Sequence, residues 1–194
     1  MIEYLDGKIT AKTPTYIVID INGLGYHVNI SLHTYEKVNN LEKVRVFIQP
    51  VIKEDSHTLY GFFDEAERAL FRHLISVSGV GPNTGRMMLS SLSPEELKRA
   101  IIRGDVSLIK SIKGIGPKGA QRIIVELQDV LKKTSSEDFV VNSGKPRVID
   151  EALAAMTMLG FNRAIAEKAI AKALHDHPGD LPVEELIKQA LKTI

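Results

Sequence analysis

Two short glycine-bounded bends constrain this chain more than any other feature. Gly79-Val80-Gly81-Pro82 and Gly114-Ile115-Gly116-Pro117 each lie between apolar runs with helical spacing, and their equivalent glycines are 35 positions apart. Glycine at such a bend admits positive φ and lets the backbone come close to a ligand. The helix that follows presents unpaired N–H groups and the positive end of its dipole, a ready seat for a phosphate. Two such seats in tandem predict a protein that holds a nucleic-acid backbone at two points without reading bases.

The distribution of charge agrees with that placement. The net charge of the 194 residues is only +1, but residues 1–63 carry −1, residues 64–134 carry +4 and residues 135–194 carry −2. The positive excess falls on the segment holding both bends, where local cations would serve phosphate binding. Chance clustering on a solvated face is the alternative. With no cysteine in the chain, disulfides, thiol nucleophiles and cysteine-based metal sites are excluded. Met1 to Asp6 is acidic where a secretory leader would be basic, and no run is long and apolar enough to span a bilayer, so a cytoplasmic location is expected.

Residues 1–63 read as strands. Tyr16–Ile19 and Tyr26–Ile30 are β-rich and flank the turn signal Asn22-Gly23, Val44–Ile48 alternates, and Thr58–Phe63 closes the series. A small closed or partly closed barrel is expected, with an open antiparallel sheet as the alternative. After Asp64 the spacing becomes helical, with Ala66, Ala69, Leu70, His73 and Leu74 on one face and Phe71 beside it. Ser93-Pro94-Glu95-Glu96 predicts a capped helix start, Gly104 its stop, and Ile123, Ile124, Leu127 and Leu131 a helix leaving the second bend. Residues 135–147 read as a flexible linker. Residues 148–194 read as three short helices, with Gly160 ending the first, Asn162 capping the second and Pro182 in the first turn of the last.

Gly114-x-Gly116-x-x-Gly119 formally matches a dinucleotide-binding fingerprint, but that motif follows a strand and Leu108–Ile112 has helical spacing. It is no ATPase loop either, because Ala120-Gln121 stands where Lys-Ser/Thr is required. The helix-hairpin-helix motif fits both copies better: an apolar helix, Gly-hydrophobic-Gly, and a second helix opening with small or basic residues. Val80 and Ile115 are expected to plug into the core while flanking amides form an anion nest. Lys113, Lys118 and Arg122 flank the second copy as candidate phosphate partners. Tight helix–helix turns with glycine caps are the competing reading. Glu54-Asp55, between two strand runs, suits either a metal or acid–base pair or an exposed hairpin tip. His175-Asp176-His177 resembles a metal tract but falls at a helix end, where histidine is favourable.

Taken together, Met1-Ile2, Leu5-Asp6-Gly7, Gly23-Leu24-Gly25-Tyr26, Glu54-Asp55, Leu59-Tyr60-Gly61-Phe62, both bends, Glu151-Ala152-Leu153 and Leu159-Gly160-Phe161 resemble the RuvA family of bacterial Holliday junction branch-migration subunits. The resemblance implies an α+β, multidomain chain. It would comprise an N-terminal OB-fold β-barrel over 1–63, a tandem helix-hairpin-helix domain over 64–134, a linker, and a C-terminal three-helix, UBA-like bundle over 148–194. It implies a homotetramer, or a face-to-face octamer, around an opened four-way junction in recombination and DNA repair. The DNA-binding positions would be Gly79, Val80, Gly81, Asn83, Arg86, Lys113, Gly114, Ile115, Gly116, Lys118, Gly119 and Arg122, with Glu54 and Asp55 as an acidic pin. Asn83 departs from the basic residue expected there, and Arg86 is the candidate substitute. The implied partners are junction DNA, the RuvB hexameric ATPase and the RuvC resolvase, with no membrane, cofactor, metal or catalytic site in this chain. A helix-hairpin-helix glycosylase or nuclease is the enzyme alternative.

Overall fold

Asn22 and Gly23 both adopt positive φ, 54° and 89°, as a two-residue type I′ turn requires. In the computed structural model, which describes residues 1–138, 146–177 and 181–193, they join β2 (Tyr16–Ile21) to β3 (Leu24–Ile30). With β1 (Tyr4–Lys12), β4 (Lys43–Ile52) and β5 (His57–Phe62) these strands close a barrel in the order β1-β2-β3-β5-β4. β4 returns to pair with β1, and β3 and β5 run parallel while the other pairs are antiparallel. Ile17, Ile19, Val28, Ile30, Val44, Val46 and Ile48 fill the interior, and closure removes every sheet edge. This is the OB arrangement, and the open-sheet alternative is excluded.

Two barrel elements escape a sequence reading. β1 alternates Leu5, Gly7 and Ile9 on its inner side, but its central inner position is a glycine and carries no hydrophobic signal. α1 (Leu32–Val38) has seven residues and buries only Thr34 and Val38, too short for a helical period to show. Ser31 caps it by accepting from the Thr34 amide.

The helical region comprises α2 (Glu65–Ser76), α3 (Pro82–Ser91), α4 (Pro94–Arg103), α5 (Val106–Ser111) and α6 (Pro117–Asp138). Ser93 and Glu96 complete the expected capping box and Gly104 ends α4. Leu70, Phe71, Leu74, Met88, Leu97, Ile101, Ile109, Ile123 and Leu127 share one core with Tyr60 and Phe62 of β5. Barrel and tandem therefore lie within a single unit, Met1–Ser136. α6 continues to Asp138, into the stretch read as linker, because extending a formed helix needs no new nucleus. Residues 139–145 lie outside the described residues.

The buried side of α2 includes the expected Leu70, Phe71 and Leu74 but is wider than the sequence reading. Ala66 is exposed, whereas Glu67 and Arg68 are buried. α2 packs on the helices with one side and on the barrel with another, so consecutive charged residues are drawn inside. Glu67 accepts from the Ser31 hydroxyl and, at 2.6 Å, from that of Thr34. Those hydroxyls accept from the amides of Thr34 and Phe63, so α1, α2 and the end of β5 form one chain of bonds.

Burial pushes the Glu67 carboxyl above its ordinary value, further than the Ser31 and Thr34 hydroxyls and His33 pull it back, and Asp64 adds to the rise. A carboxyl raised on folding stabilises the fold below its ordinary pKa, and this contribution is lost as pH rises through the raised one. Urea unfolding of wild type and Glu67→Gln between about pH 4 and 8 should therefore show the difference moving against wild type as pH rises. A flat difference would contradict the assignment.

The second unit, Glu137–Ile194, contains α7 (Pro146–Met158), α8 (Arg163–Asp176) and α9 (Val183–Leu191). Ala152, Met156, Ala166, Ile170, Ala173, Leu186 and Ala190 form its core. Asn162 caps α8 through the Ala164 amide, and Pro182 stands immediately before α9. Among the described residues no helix is long and apolar enough to cross a membrane.

Candidate nucleic-acid interface

The two bends repeat each other bond for bond. The Val80 amide donates to Val77 O at 3.0 Å and that of Ile115 to Ile112 O at 3.1 Å; Gly85 donates to Gly81 O and Ala120 to Gly116 O, both at 2.9 Å. Val80 and Ile115 are buried in the helical core, as the plug role requires. The four glycines are exposed.

The paired glycines have different roles. Gly79 and Gly114 have φ of 88° and 94°, which side-chain-bearing residues rarely adopt. Gly81 sits at φ −80° and ψ 167°, open to any residue. A Cβ built at Gly81 or Gly116 would meet no protein atom within 4 Å. No conformational or packing demand of the protein accounts for glycine at these two positions; what the missing side chains leave clear is the approach from outside. The amides of Gly81, Asn83 and Thr84, and of Gly116, Lys118 and Gly119, find no acceptor among the described residues. Each bend thus offers a cluster of free N–H groups at a helix start with open space in front of it.

The cations are arranged less simply than the sequence suggests. Lys113 and Lys118 are exposed beside the second bend and in no ion pair among the described residues. Arg122, spaced as if it belonged to the second bend, reaches across to the first. Its Nη1 donates to Ser78 O at 3.0 Å and lies 3.7 Å from where a Gly79 Cβ would be. Arg86 turns to the barrel, donating to Thr15 O at 2.9 Å and Asn29 Oδ1 at 3.2 Å. Arg122 therefore stands beside the first bend, while the Arg86 guanidinium is engaged by the barrel. Asn83 accepts a 3.2 Å hydrogen bond from the Tyr60 hydroxyl. Burial raises the pKa of that hydroxyl, against a smaller lowering by Arg86, and keeps it a donor.

Glu54 and Asp55 occupy the tip of the β4–β5 hairpin. The Lys53 amide donates to Ser56 O at 2.8 Å, closing the turn, and both carboxylates are exposed. Asp55 accepts from the Ser56 hydroxyl at 3.3 Å. Neither carboxylate belongs to a metal-competent cluster. Among the described residues the only such group is His33, Asp64 and Glu67, and both Glu67 oxygens already accept hydroxyl protons. His175 and Asp176 are 3.3 Å apart at the end of α8, and among the described residues they belong to no group of three that could hold a metal.

Three family models match this chain in order. The RuvA N-terminal domain covers residues 1–61, a SAM-like helix-hairpin-helix tandem covers 71–129, and the RuvA C-terminal domain covers 147–194. The chain is also 50% identical, over the whole of both sequences, to the Holliday junction branch migration complex subunit RuvA of Christiangramia forsetii. The chain belongs to the RuvA family. The protein of the same name from Flavobacterium psychrophilum is likewise 50% identical over both full lengths, and that from Cytophaga hutchinsonii 46% over 99% of each. The first matched segment takes in the barrel strands except the last residue of β5, the second holds both bends with α3, α4 and α5 and parts of α2 and α6, and the third holds the three-helix unit from the second residue of α7.

Sequence reasoning missed the polar contacts joining barrel to tandem: Glu67 and Arg68, Arg72 with Gln49, and Tyr60 with Asn83. No periodic signal marks them, because each partner is remote in sequence.

Proposed function

We propose that this protein is the structure-selective subunit of a branch-migration complex, binding the four-way Holliday junction as a fourfold assembly and carrying no catalytic site of its own. The observation that carries the reading is the pair of matched bends, each with free amides and clear space before it. Lys113, Lys118 and Arg122 supply charge to the same grip. Contacts of this kind address phosphates, so affinity should be independent of sequence and fall steeply with salt. Discrimination must then come from the shape of the DNA. Four copies around an axis would present four equivalent duplex seats whose weak contacts add through multivalency. Glu54 and Asp55, exposed on a projecting tip, would meet at that axis as a ring of carboxylates. Such a ring repels phosphates, keeping the crossover open and preventing plain duplex from crossing. The three-helix unit is the docking module for the RuvB ring ATPase, which supplies ATP hydrolysis; RuvC is a further partner on the same junction.

Competition gel shifts at fixed salt test the reading. A four-way junction is expected to bind more tightly than linear duplex of equal length, and equal affinity would defeat the proposal. Native mass measurement should show four or eight copies on one junction. Glu54→Gln with Asp55→Asn is expected to raise linear-duplex affinity about tenfold at low salt and less at high salt, because exposed charges are screened. No gain would remove the repulsion argument.

A further inference from the structure

We propose that Arg72 and Asn83 are positioning residues: by gripping the two members of one cross-strand pair, Gln49 and Tyr60, they hold the acidic tip at a fixed place relative to the first bend. The proposal rests on Glu54 and Asp55 acting as the repulsive pin, and goes beyond it by naming what aims the pin. Gln49 of β4 and Tyr60 of β5 are register partners at the root of the hairpin, and three further rungs, ending at Ile52 and His57, lead to the tip. Gln49 Oε1 accepts from Arg72 Nε at 2.6 Å, and Arg72 lies on α2. The Tyr60 hydroxyl donates to Asn83 at 3.2 Å, and Asn83 lies on α3. α2 and α3 are the helices on either side of the first bend, so each strand of the tip hairpin is tied to a different side of that bend.

The ties are reinforced one residue earlier. Arg68 is buried and donates through Nη1 to Ile48 O at 3.0 Å and Glu3 O at 2.9 Å, while its Nη2 pairs with Glu65 at 2.6 Å. Its Nε has no acceptor among the described residues, and the guanidinium carbon lies 5.3 Å from the Phe47 ring centroid. On β5, the Tyr60 ring tilts against Phe71 of α2 at 5.3 Å. A two-stranded hairpin alone is marginally stable in water, so a projecting tip keeps its direction only if its root is held. Direction matters because charge repulsion fades over a Debye length of about 10 Å at 0.1 M salt. The arrangement also accounts for asparagine at 83: its acceptor oxygen serves the tip's strand, and Arg122 supplies the cation at the bend.

The test uses the full chain with Gln49→Ala and Tyr60→Phe combined, uncharged changes outside the phosphate-binding bends. The ratio of junction to linear-duplex affinity, by competition gel shift at fixed salt, is expected to fall about fivefold. A ratio within about twofold of wild type overturns the proposal, whether both affinities are unchanged or fall together. Tyr60→Phe alone, which removes one oxygen, should produce a smaller drop in the same direction and serves if the double variant fails to fold; an unchanged ratio there also counts against it. Glu54→Gln with Asp55→Asn is measured alongside. If that variant moves the ratio and the root variants do not, the positioning role alone is wrong. If it leaves the ratio unchanged, the pin reading fails, and with it the proposal.

Discussion

Replacing Gly81 and Gly116 together with valine is expected to weaken binding to every DNA form by about a hundredfold or more, with the fold intact. The two positions suit the test because the protein itself makes no use of their missing side chains. Nothing lies within 4 Å of a Cβ at either site, and Gly81 is already in extended backbone that valine prefers. The added methyls would occupy the space in front of the free amides. Each hydrogen bond to a charged group is worth roughly 1.5–3 kcal/mol, and two bends per subunit would lose several. Valine is a poorer helix cap than glycine, which costs on the order of 1 kcal/mol per site. Thermal melting by circular dichroism should register only that loss, while gel shifts on junction and duplex register the larger one. Full binding by a folded variant would falsify the amide grip. Substitution at Gly79 or Gly114 is a weaker test, since positive φ there makes the backbone itself resist and confounds binding with stability.

Gly7→Ala is expected to be the most damaging single-methyl change in the barrel, costing about 3 kcal/mol or more. A Cβ at Gly7 would lie 2.3 Å from Asp20 O and 2.8 Å from Ile19 Cγ2. The first neighbour is backbone in the adjacent strand, so no rotamer change relieves the clash. β1 would have to move away from β2, and because β1 also closes the barrel on β4, one displaced rung disturbs both seams. Gly25→Ala is the control: its Cβ would touch Val18 Cγ1 at 3.4 Å, close to ordinary contact. Urea unfolding should separate the two variants by most of the predicted cost. Equal stability would mean that the strands yield more easily than a closed barrel should.

The regular elements with a strong local signature were legible in the sequence. The Asn22-Gly23 turn, the Ser93–Glu96 box, the Gly104 stop and the Asn162 cap all stand where residue chemistry put them. The alternation of Val44, Val46 and Ile48 marked the inner side of β4 correctly. β1 was hidden by its glycine and α1 by its length. The apolar face of α2 was legible in Leu70, Phe71 and Leu74, but its buried surface was drawn too narrowly, because periodicity counts apolar residues and this helix also buries a glutamate and an arginine.

The sequence by itself determined the two bends, the helix ends and the local excess of positive charge, because turns, caps and short-range periodicity depend on neighbours within a few residues. Only the tertiary structure decided which cation attends which bend, sending Arg122 to the first and Arg86 to the barrel. It alone assigned Asn83 to Tyr60 and buried Glu67 between two elements. Those pairings join residues 23 to 71 positions apart, and their partners are fixed by how barrel and helices pack, a property no local pattern encodes.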